Sequence, residues 1–467
     1  MLFTTSIFWI FFIFVFLTVI LNSNFIKSIK LQNIVLLLSS YIFYGYWDWR
    51  FLGLIIFVTF QTFFFGACIY NTKNKKKYFL FISIFINILI LCFFKYFNFF
   101  SAELANLIKL FSLKLNSSTL NIILPVGISF YIFQTLTYLI DIYKKKIVPE
   151  KSLINYASFV AFFPQLVAGP IERARNLLPQ FNRLTIINST NFFLGLKIII
   201  FGLFLKIFIA DNLASTVDDI FSNYKNYSGG ILSLGAVYFS IQIYSDFCGY
   251  SLIAIGVAKC MGFELMINFN TPYFSTSIQD FWRRWHISLS SFFKDYFYIL
   301  LGGSREGKLK TSKNLIYTFT ISGLWHGANW TFILWGFFHG IILILQKFIS
   351  LKYYKLSKLK FLRTFFSWFI TIFLVAILWI IFRSETIWDA FNYMTKIIFE
   401  FQIPTSHRAA LPLVFYYLIV DLFLFKNNDL KKVLLNKSYI EMFILALMLM
   451  LVLGSNNFDQ NFIYFQF

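Results

Sequence analysis

Charged side chains are scarce in this sequence: Asp, Glu, Lys and Arg make up 13% of the 467 residues, whereas 59% are hydrophobic and 22% are aromatic. A soluble domain carries about 25% charged residues, so this composition excludes an ordinary soluble protein. Apolar segments of about twenty residues follow one another along the chain, as in polytopic membrane proteins. We therefore expect an all-α membrane bundle that forms a single domain over residues 1–467, with no separate soluble domain.

Cysteine is also rare, and its four copies are scattered without a C-x-x-C pair. This pattern indicates neither a disulfide framework nor a cysteine metal site. The four histidines do not form an H-E-x-x-H motif. We expect no metal cofactor.

The N-terminal segment lacks the basic region and the small-residue cleavage site of a signal peptide. Its apolar run is also too long for one. The first apolar segment is therefore predicted to be a retained membrane helix.

Positive charge is in excess, with a formal net charge of +21. The Lys and Arg residues form short clusters between apolar runs, at residues 27–30, 73–77, 144–146, 173–175, 305–313, 352–363 and 431–437. This distribution is typical of the positive-inside rule and does not indicate a nucleic-acid partner. We place these clusters in the cytoplasm, which puts both chain ends on the extracytoplasmic side.

Several apolar segments are interrupted. The predicted spans are about 3–21, 31–46, 51–70, 78–100, 120–142, 153–169, 191–210, 231–258, 314–347, 362–382, 410–425 and 438–453. Pro125 and Gly127 break one of them, and Pro164, Gly169 and Pro170 break another. Backbone groups freed at membrane depth must be satisfied by protein or by a water-filled cavity, so these breaks indicate an internal cavity.

The stretch "FWRRWHISLS", residues 281–290, begins a polar island in the apolar chain. Ionisable groups at the bilayer centre cost about 2.5 to 3.5 kcal/mol each, which excludes a lipid-facing span here. At about 100° per residue the aromatic side chains collect on one face, predicting an amphipathic helix over 281–297 with His286 at the edge of its apolar stripe. The helix lines a cavity or anchors the protein at the membrane interface.

A second island, "SGLWHGANW" at residues 322–330, places His326 between two glycines. Glycine allows a helix break or a close backbone approach beside the imidazole. A neutral imidazole is a suitable general base near physiological pH. Structural hydrogen bonding between helices is the alternative for any membrane histidine, and we adopt it for His339 and His407.

Together these segments resemble the membrane-bound O-acyltransferase family, most closely its alginate and peptidoglycan O-acetyltransferase branch. The resemblance rests on four segments: the run from "YSDFCGYS" to "LGGSR" at 244–305, "LWHGANWTFILWGFFHG" at 324–340, "FFPQLVAGPIER" at 162–173 and the ending "FIYFQF". It extends over most of the chain.

The resemblance implies about eleven to thirteen transmembrane and re-entrant helices around a tunnel that joins a cytoplasmic donor side to an extracytoplasmic acceptor side. It implies that His326 is the catalytic histidine and His286 a second active-site histidine. Asn329 would orient His326 or the donor carbonyl, while Arg305 would meet the donor phosphates at the cytoplasmic mouth, which Arg283 also faces.

Tyr464, in the aromatic ending, admits two interpretations. The tail could plug back into the bundle by packing alone. Alternatively, the Tyr464 phenol receives the acetyl group from the tunnel and passes it to a partner, a covalent relay that splits one transfer into two.

The resulting hypothesis is an enzyme of the bacterial inner or plasma membrane that uses cytoplasmic acetyl-CoA to O-acetylate an extracytoplasmic polysaccharide, peptidoglycan or an alginate-like exopolysaccharide. An extracytoplasmic SGNH-hydrolase-like transferase would complete the delivery. Two alternatives stay open: D-alanyl transfer to teichoic acid from a carrier-protein thioester, and a transporter or scaffold without covalent chemistry. The sequence does not identify the glycan.

Overall fold

Helices make up most of the part of the chain that its computed structural model describes, residues 1–111, 120–167, 169–353, 360–426, 439–455 and 462. No strand occurs in those ranges. The α-helices described there are α1 Ser6–Leu21, α2 Ile29–Asp48, α3 Leu52–Asn71, α4 Lys76–Leu91, α5 Phe97–Leu110, α6 Ile128–Tyr143, α7 Leu153–Ala161, α8 Phe163–Leu166, α9 Ala174–Phe181, α10 Ser189–Leu203, α11 Asn212–Ser222, α12 Gly229–Cys260, α13 Ile278–Arg284, α14 Ile287–Phe293, α15 Gly307–His326, α16 Trp330–Tyr353, α17 Lys360–Arg383, α18 Ile387–Phe399, α19 Leu411–Lys426 and α20 Tyr439–Leu453. Turns of π-helix lie at Asn22–Ile26, Cys92–Tyr96, Phe204–Asp211 and Lys294–Tyr298.

Seven helical segments within the described ranges are long and apolar enough to cross a membrane. They are Ser6–Ile26, Ile29–Asn71, Lys76–Leu110, Ser189–Ser222, Gly229–Cys260, Trp330–Lys347 and Phe361–Arg383. Burial covers 94% of the apolar window in Gly229–Cys260 but 11% in Lys76–Leu110, so the first is an interior helix and the second exposes most of its apolar surface. The prediction of an all-α polytopic membrane protein is confirmed.

One compact unit comprises Met1–Gly195 and Val257–Leu265. Buried amides join its helices: Asn33 Nδ2 on α2 donates to Asn155 Oδ1 on α7 at 2.9 Å and to the carbonyl of Phe181 on α9 at 2.7 Å. In a bilayer, lipid tails are as apolar as the helices, so interhelical hydrogen bonds and close packing hold such units together.

The two predicted interruptions in this unit are confirmed. Gly127 adopts a left-handed conformation, with φ of +75°, immediately before α6, which therefore begins later than the predicted span at 120. In the second segment, α7 ends at Ala161 and a short α8 follows, with Pro164 in its first turn. Proline fits there because the first-turn N–H has no helical acceptor.

A second compact unit comprises Leu196–Gly256 and Met266–Phe467. Within it α15 and α16 pack closely, because a Cβ on Gly323 would lie 2.1 Å from the carbonyl oxygen of Phe332, and one on Gly336 would lie 2.1 Å from that of Phe319. Only glycine permits this approach of two backbones.

The predicted single span at 314–347 is wrong, since two helices occupy that region. The first, α15, ends at His326, and α16 begins at Trp330. The residues on both sides of the break are apolar, so hydropathy alone predicted one continuous span. The signals for the break were Gly327, whose backbone is extended, and Asn329, a residue that favours caps and turns.

The continuous amphipathic helix predicted over 281–297 is likewise wrong. Its residues form α13, a corner at Trp285 and His286, and α14, which continues into the π-helical turn Lys294–Tyr298. The aromatic side chains of α13 and α14 are both buried. Their spacing in the sequence therefore resembles that of one continuous helix, although the chain turns between them.

Candidate functional site

The corner before α14 positions His286. Its backbone is left-handed, with φ of +40°, an uncommon conformation for a residue with a side chain. Asn268 stabilises the corner: its carbonyl accepts from the Ile287 amide at 2.8 Å, and its Oδ1 accepts from the Ser288 amide at 3.4 Å. Asn268 Nδ2 in turn donates to Ser251 Oγ on α12 at 2.8 Å. The corner is thereby attached to the interior helix.

Aromatic rings enclose the His286 imidazole, which has no exposed surface. Its ring centroid lies 4.6 Å from that of Phe247, 5.9 Å from Trp325 and 6.4 Å from Phe269. This residue lies outside the seven candidate spans, and burial lowers its pKa to about 3. His286 is therefore neutral at physiological pH.

His326 is the last residue of α15 and is also buried. Its imidazole centroid lies 5.0 Å from the Trp325 ring, 5.1 Å from Trp335 and 5.4 Å from Phe382. Gly327 is needed directly after it, since a Cβ there would lie 2.2 Å from the Phe332 ring. The helix end thus presents the imidazole inside an aromatic enclosure.

The two histidines share one neighbour. Trp325 contacts the rings of both His286 and His326, although 40 residues separate the two histidines in the chain by their numbering. The structure therefore brings together the two residues that the motifs singled out. Trp325 and Phe247 were not predicted as site residues, because among so many aromatic side chains no local signal distinguishes them.

Asn329 lies in the turn after His326, and its side chain makes two hydrogen bonds to backbone groups. Its Nδ2 donates to the carbonyl of Glu385 at 2.9 Å, and its Oδ1 accepts from the Thr331 amide at 3.0 Å. These contacts hold the start of α16 against the segment that follows α17.

The two predicted donor-binding arginines are solvent-exposed. Arg283 lies on α13. Its neighbour Arg284 forms an ion pair with Asp280, with Nε 3.0 Å from Oδ2. Arg305 lies in the turn before α15, which contains Gly302 and Gly303 with positive φ. Tyr464 lies outside the described residues.

His339 has the structural role expected for it. Its Nδ1 accepts a hydrogen bond from Trp282 Nε1 at 3.2 Å, and its ring packs on Trp335 with centroids 4.8 Å apart. Among the described residues no group of three His, Cys, Asp or Glu side chains is placed to hold a metal ion.

Chemically, the arrangement supplies two imidazoles in an enclosure from which aromatic rings exclude water. Such surroundings strengthen electrostatic interactions and protect a reactive acyl donor from hydrolysis. An imidazole accepts a proton from an attacking hydroxyl, or donates to a developing oxyanion. The site is suited to acyl transfer.

Comparison with known proteins agrees with this chemistry. The profile of the membrane-bound O-acyltransferase family matches residues 143–384. A probable alginate O-acetylase of Pseudomonas syringae pv. tomato is 40% identical over 410 residues, covering 86% of this chain and 77% of the relative. A peptidoglycan O-acetyltransferase of Helicobacter pylori is 36% identical over 417 residues, covering 82% and 78%. A teichoic acid D-alanyltransferase of Streptococcus thermophilus is 29% identical over 236 residues, covering 47% and 56%.

The chain is a membrane enzyme that transfers acyl groups. It belongs to the membrane-bound O-acyltransferase family, as its sequence motifs indicated.

Proposed function

We propose that this enzyme moves acetyl groups from cytoplasmic acetyl-CoA across the membrane for O-acetylation of an extracytoplasmic polysaccharide. The names of its relatives support the reaction, since those covering most of the chain act on alginate or peptidoglycan. The glycan is peptidoglycan or an alginate-like exopolysaccharide.

The observation that carries the proposal is the pair of buried imidazoles that both contact the Trp325 ring. His326 acts as the base that takes the proton from the attacking hydroxyl. His286, which is neutral, supplies a hydrogen bond to the oxyanion that forms at the acetyl carbonyl.

Asn329 has a positioning role in this proposal. Both ends of its amide are engaged by backbone groups of Glu385 and Thr331. It therefore fixes the turn that carries His326, and the donor to the oxyanion is His286.

Acetyl-CoA brings phosphate groups that need cationic partners. Arg305 and Arg283 are exposed, and a guanidinium binds phosphate through paired hydrogen bonds. We assign them to the donor's phosphates on the cytoplasmic side, in agreement with the positive-inside pattern.

Tyr464 acts as an acyl relay in the proposed pathway, handing the acetyl group to an SGNH-hydrolase-like transferase outside the membrane. The position of Phe462 supports this role. Its buried ring lies 4.6 Å from Tyr250 and 5.7 Å from Phe247, which also contacts His286. Phe462, two residues before Tyr464, therefore lies in the surroundings of His286.

We place the enzyme in the bacterial inner or plasma membrane as a single domain, with an extracytoplasmic C-terminus. D-alanyl transfer to teichoic acid is the runner-up activity. The relative with that name matches about half of the chain, whereas the acetyltransferases match more than four fifths.

The test compares a wild-type strain with one that expresses His326→Ala at equal protein level. We expect alkali-released acetate to fall at least about 10²-fold in one polymer, peptidoglycan or exopolysaccharide, because a general base contributes about 10² to 10⁴ in rate. Unchanged acetate in both polymers would contradict the proposal. Loss of ester-linked D-alanine instead would favour the runner-up.

A further inference from the structure

A second constellation of catalytic residue types lies outside the two-histidine site, in the same compact unit. Ser406 Oγ lies 2.8 Å from His407 Nδ1, and His407 Nε2 lies 2.8 Å from Asp219 Oδ2. These residues form an uninterrupted hydroxyl, imidazole and carboxylate series. We expected His407 to make structural hydrogen bonds and predicted no nucleophile beside it.

The partners of His407 determine its tautomer. An ionised carboxylate only accepts hydrogen bonds, so Nε2 carries the proton that is donated to Asp219. In the neutral ring, Nδ1 then holds the lone pair and accepts the Ser406 hydroxyl proton. This is the arrangement of a serine nucleophile with its general base, with the two ring nitrogens exchanged relative to the most familiar proteases.

The other two members of the series are held in place. Asp219 also accepts from the Tyr227 hydroxyl at 2.6 Å and from Asn223 Nδ2 at 2.8 Å, which stabilises the carboxylate and fixes its direction. The His407 carbonyl accepts from the Tyr238 hydroxyl at 2.8 Å, and its ring packs edge-on to Tyr227 with centroids 4.9 Å apart.

The backbone at His407 is strained, with φ of +62°. Such conformations in residues with side chains cost about 1 to 3 kcal/mol and persist where surrounding contacts enforce them, often at functional sites. The serine at the end of the series is exposed and open to a substrate.

A cleft of about 730 Å³ begins next to the series. Its lining includes Ala409 and Ala410, two and three residues after His407, and Thr216, one helical turn before Asp219 on α11. The rest of the lining combines apolar side chains such as Leu413 with hydroxyl and amide groups. Ser406, His407 and Asp219 are not among its lining residues, so the cleft neighbours the series and has room for a small organic molecule.

We propose that Ser406 is a second acyl-accepting nucleophile, specific for small carboxylic esters. Its Oγ attacks the ester carbonyl, the Oγ–C bond forms, and the bond from the carbonyl carbon to the alcohol oxygen breaks. His407 Nδ1 takes the hydroxyl proton and returns it to the departing alcohol. Water then attacks the acyl-serine, with His407 again taking the proton, and releases the carboxylic acid and free Ser406.

This activity does not depend on the two-histidine site. The experiment therefore uses purified full-length protein carrying His326→Ala, in detergent, with p-nitrophenyl acetate as the probe. We expect acetyl on the peptide that contains Ser406. Hydrolysis should fall about 10²-fold in Ser406→Ala and in His407→Gln, since each change removes the nucleophile or its base.

The control is Ser312→Ala, a serine whose hydroxyl donates to the carbonyl of Lys308 and has no imidazole partner. It should hydrolyse the ester at the parent rate. Ser406→Cys should still accept the acetyl group, which separates chemistry from folding. Absence of acetyl on residue 406, together with a Ser406→Ala rate within about twofold of the parent, would overturn the proposal whatever the effect of His326→Ala on glycans.

Discussion

The turn that follows His326 contains a polar residue, Asn329, three positions further along the chain. Asn329 fixes the turn through Glu385 and Thr331, and it lies on the side of the break from which α16 begins. Misplacing a catalytic group by about 1 Å can cost about 10²-fold in rate, so in the proposed mechanism the Asn329 contacts affect catalysis although they include no reacting atom.

We therefore expect Asn329→Ala to lower kcat for acetyl transfer about 10-fold or more with little change in KM for the donor. Loss of the hydrogen bonds from the Asn329 side chain to backbone groups should also lower stability by about 1 to 2 kcal/mol. Asn329→Asp is the matched variant, since it retains the acceptor for Thr331 and loses the donor to Glu385. Initial rates and thermal unfolding in detergent measure both effects, and an unchanged kcat in both variants would refute the positioning role.

At the scale of elements, the helix pair α15 and α16 depends on backbone contact. Gly323 faces the carbonyl of Phe332 so closely that no side chain fits between the helices. This crossing lies one turn before His326. The packing of α15 against α16 therefore also positions the imidazole.

Gly323→Ala should separate the two helices and lower stability by about 1 to 3 kcal/mol, the usual cost of overpacking, with loss of transfer activity. Gly53→Ala provides the control, because a Cβ on Gly53 on α3 meets nothing within 4 Å. That change should be neutral or slightly stabilising, as alanine favours helix more than glycine does. Equal unfolding temperatures for the two variants would contradict the role of the crossing.

In the proposed function, the whole molecule passes an acyl group from one side of the membrane to the other. The proposed route begins at exposed arginines, passes the buried histidines and ends at the C-terminal tail, whose Phe462 is buried beside Phe247. A hydroxyl carried by that tail would let the acetyl group leave as an ester, and the donor thioester would never meet the exterior water.

Tyr464→Phe should therefore reduce glycan acetylation at least about 10-fold while protein level and thermal stability stay unchanged, because only the phenol oxygen is removed. Gln466→Ala, in the same tail, should leave acetylation intact. Glycan-bound acetate and the unfolding temperature are the measurements. Normal acetylation in Tyr464→Phe would show that the tail acts by packing alone.

Much of this protein follows from local sequence. Membrane helices need about twenty apolar residues and little charge, so composition and hydropathy were sufficient for the fold class. Gly127 and Pro164 marked breaks for reasons of backbone geometry that hold in any fold. The W-H-G-x-N-W and W-R-R-W-H segments identified both histidines through family resemblance.

Other features depend on residues that the fold brings together. The corner at His286 is stabilised by Asn268, which lies eighteen positions earlier in the chain. Sequence periodicity does not predict such a hydrogen bond. Only the tertiary structure shows Trp325 as a candidate site residue, because its ring contacts both imidazoles. Asp219 and His407 are 188 positions apart, and neither has a local signature. Propensity and hydropathy act between neighbours in the chain, whereas hydrogen bonds and ring contacts act between neighbours in space, and these contacts assembled the candidate site and the proposed Ser406 series.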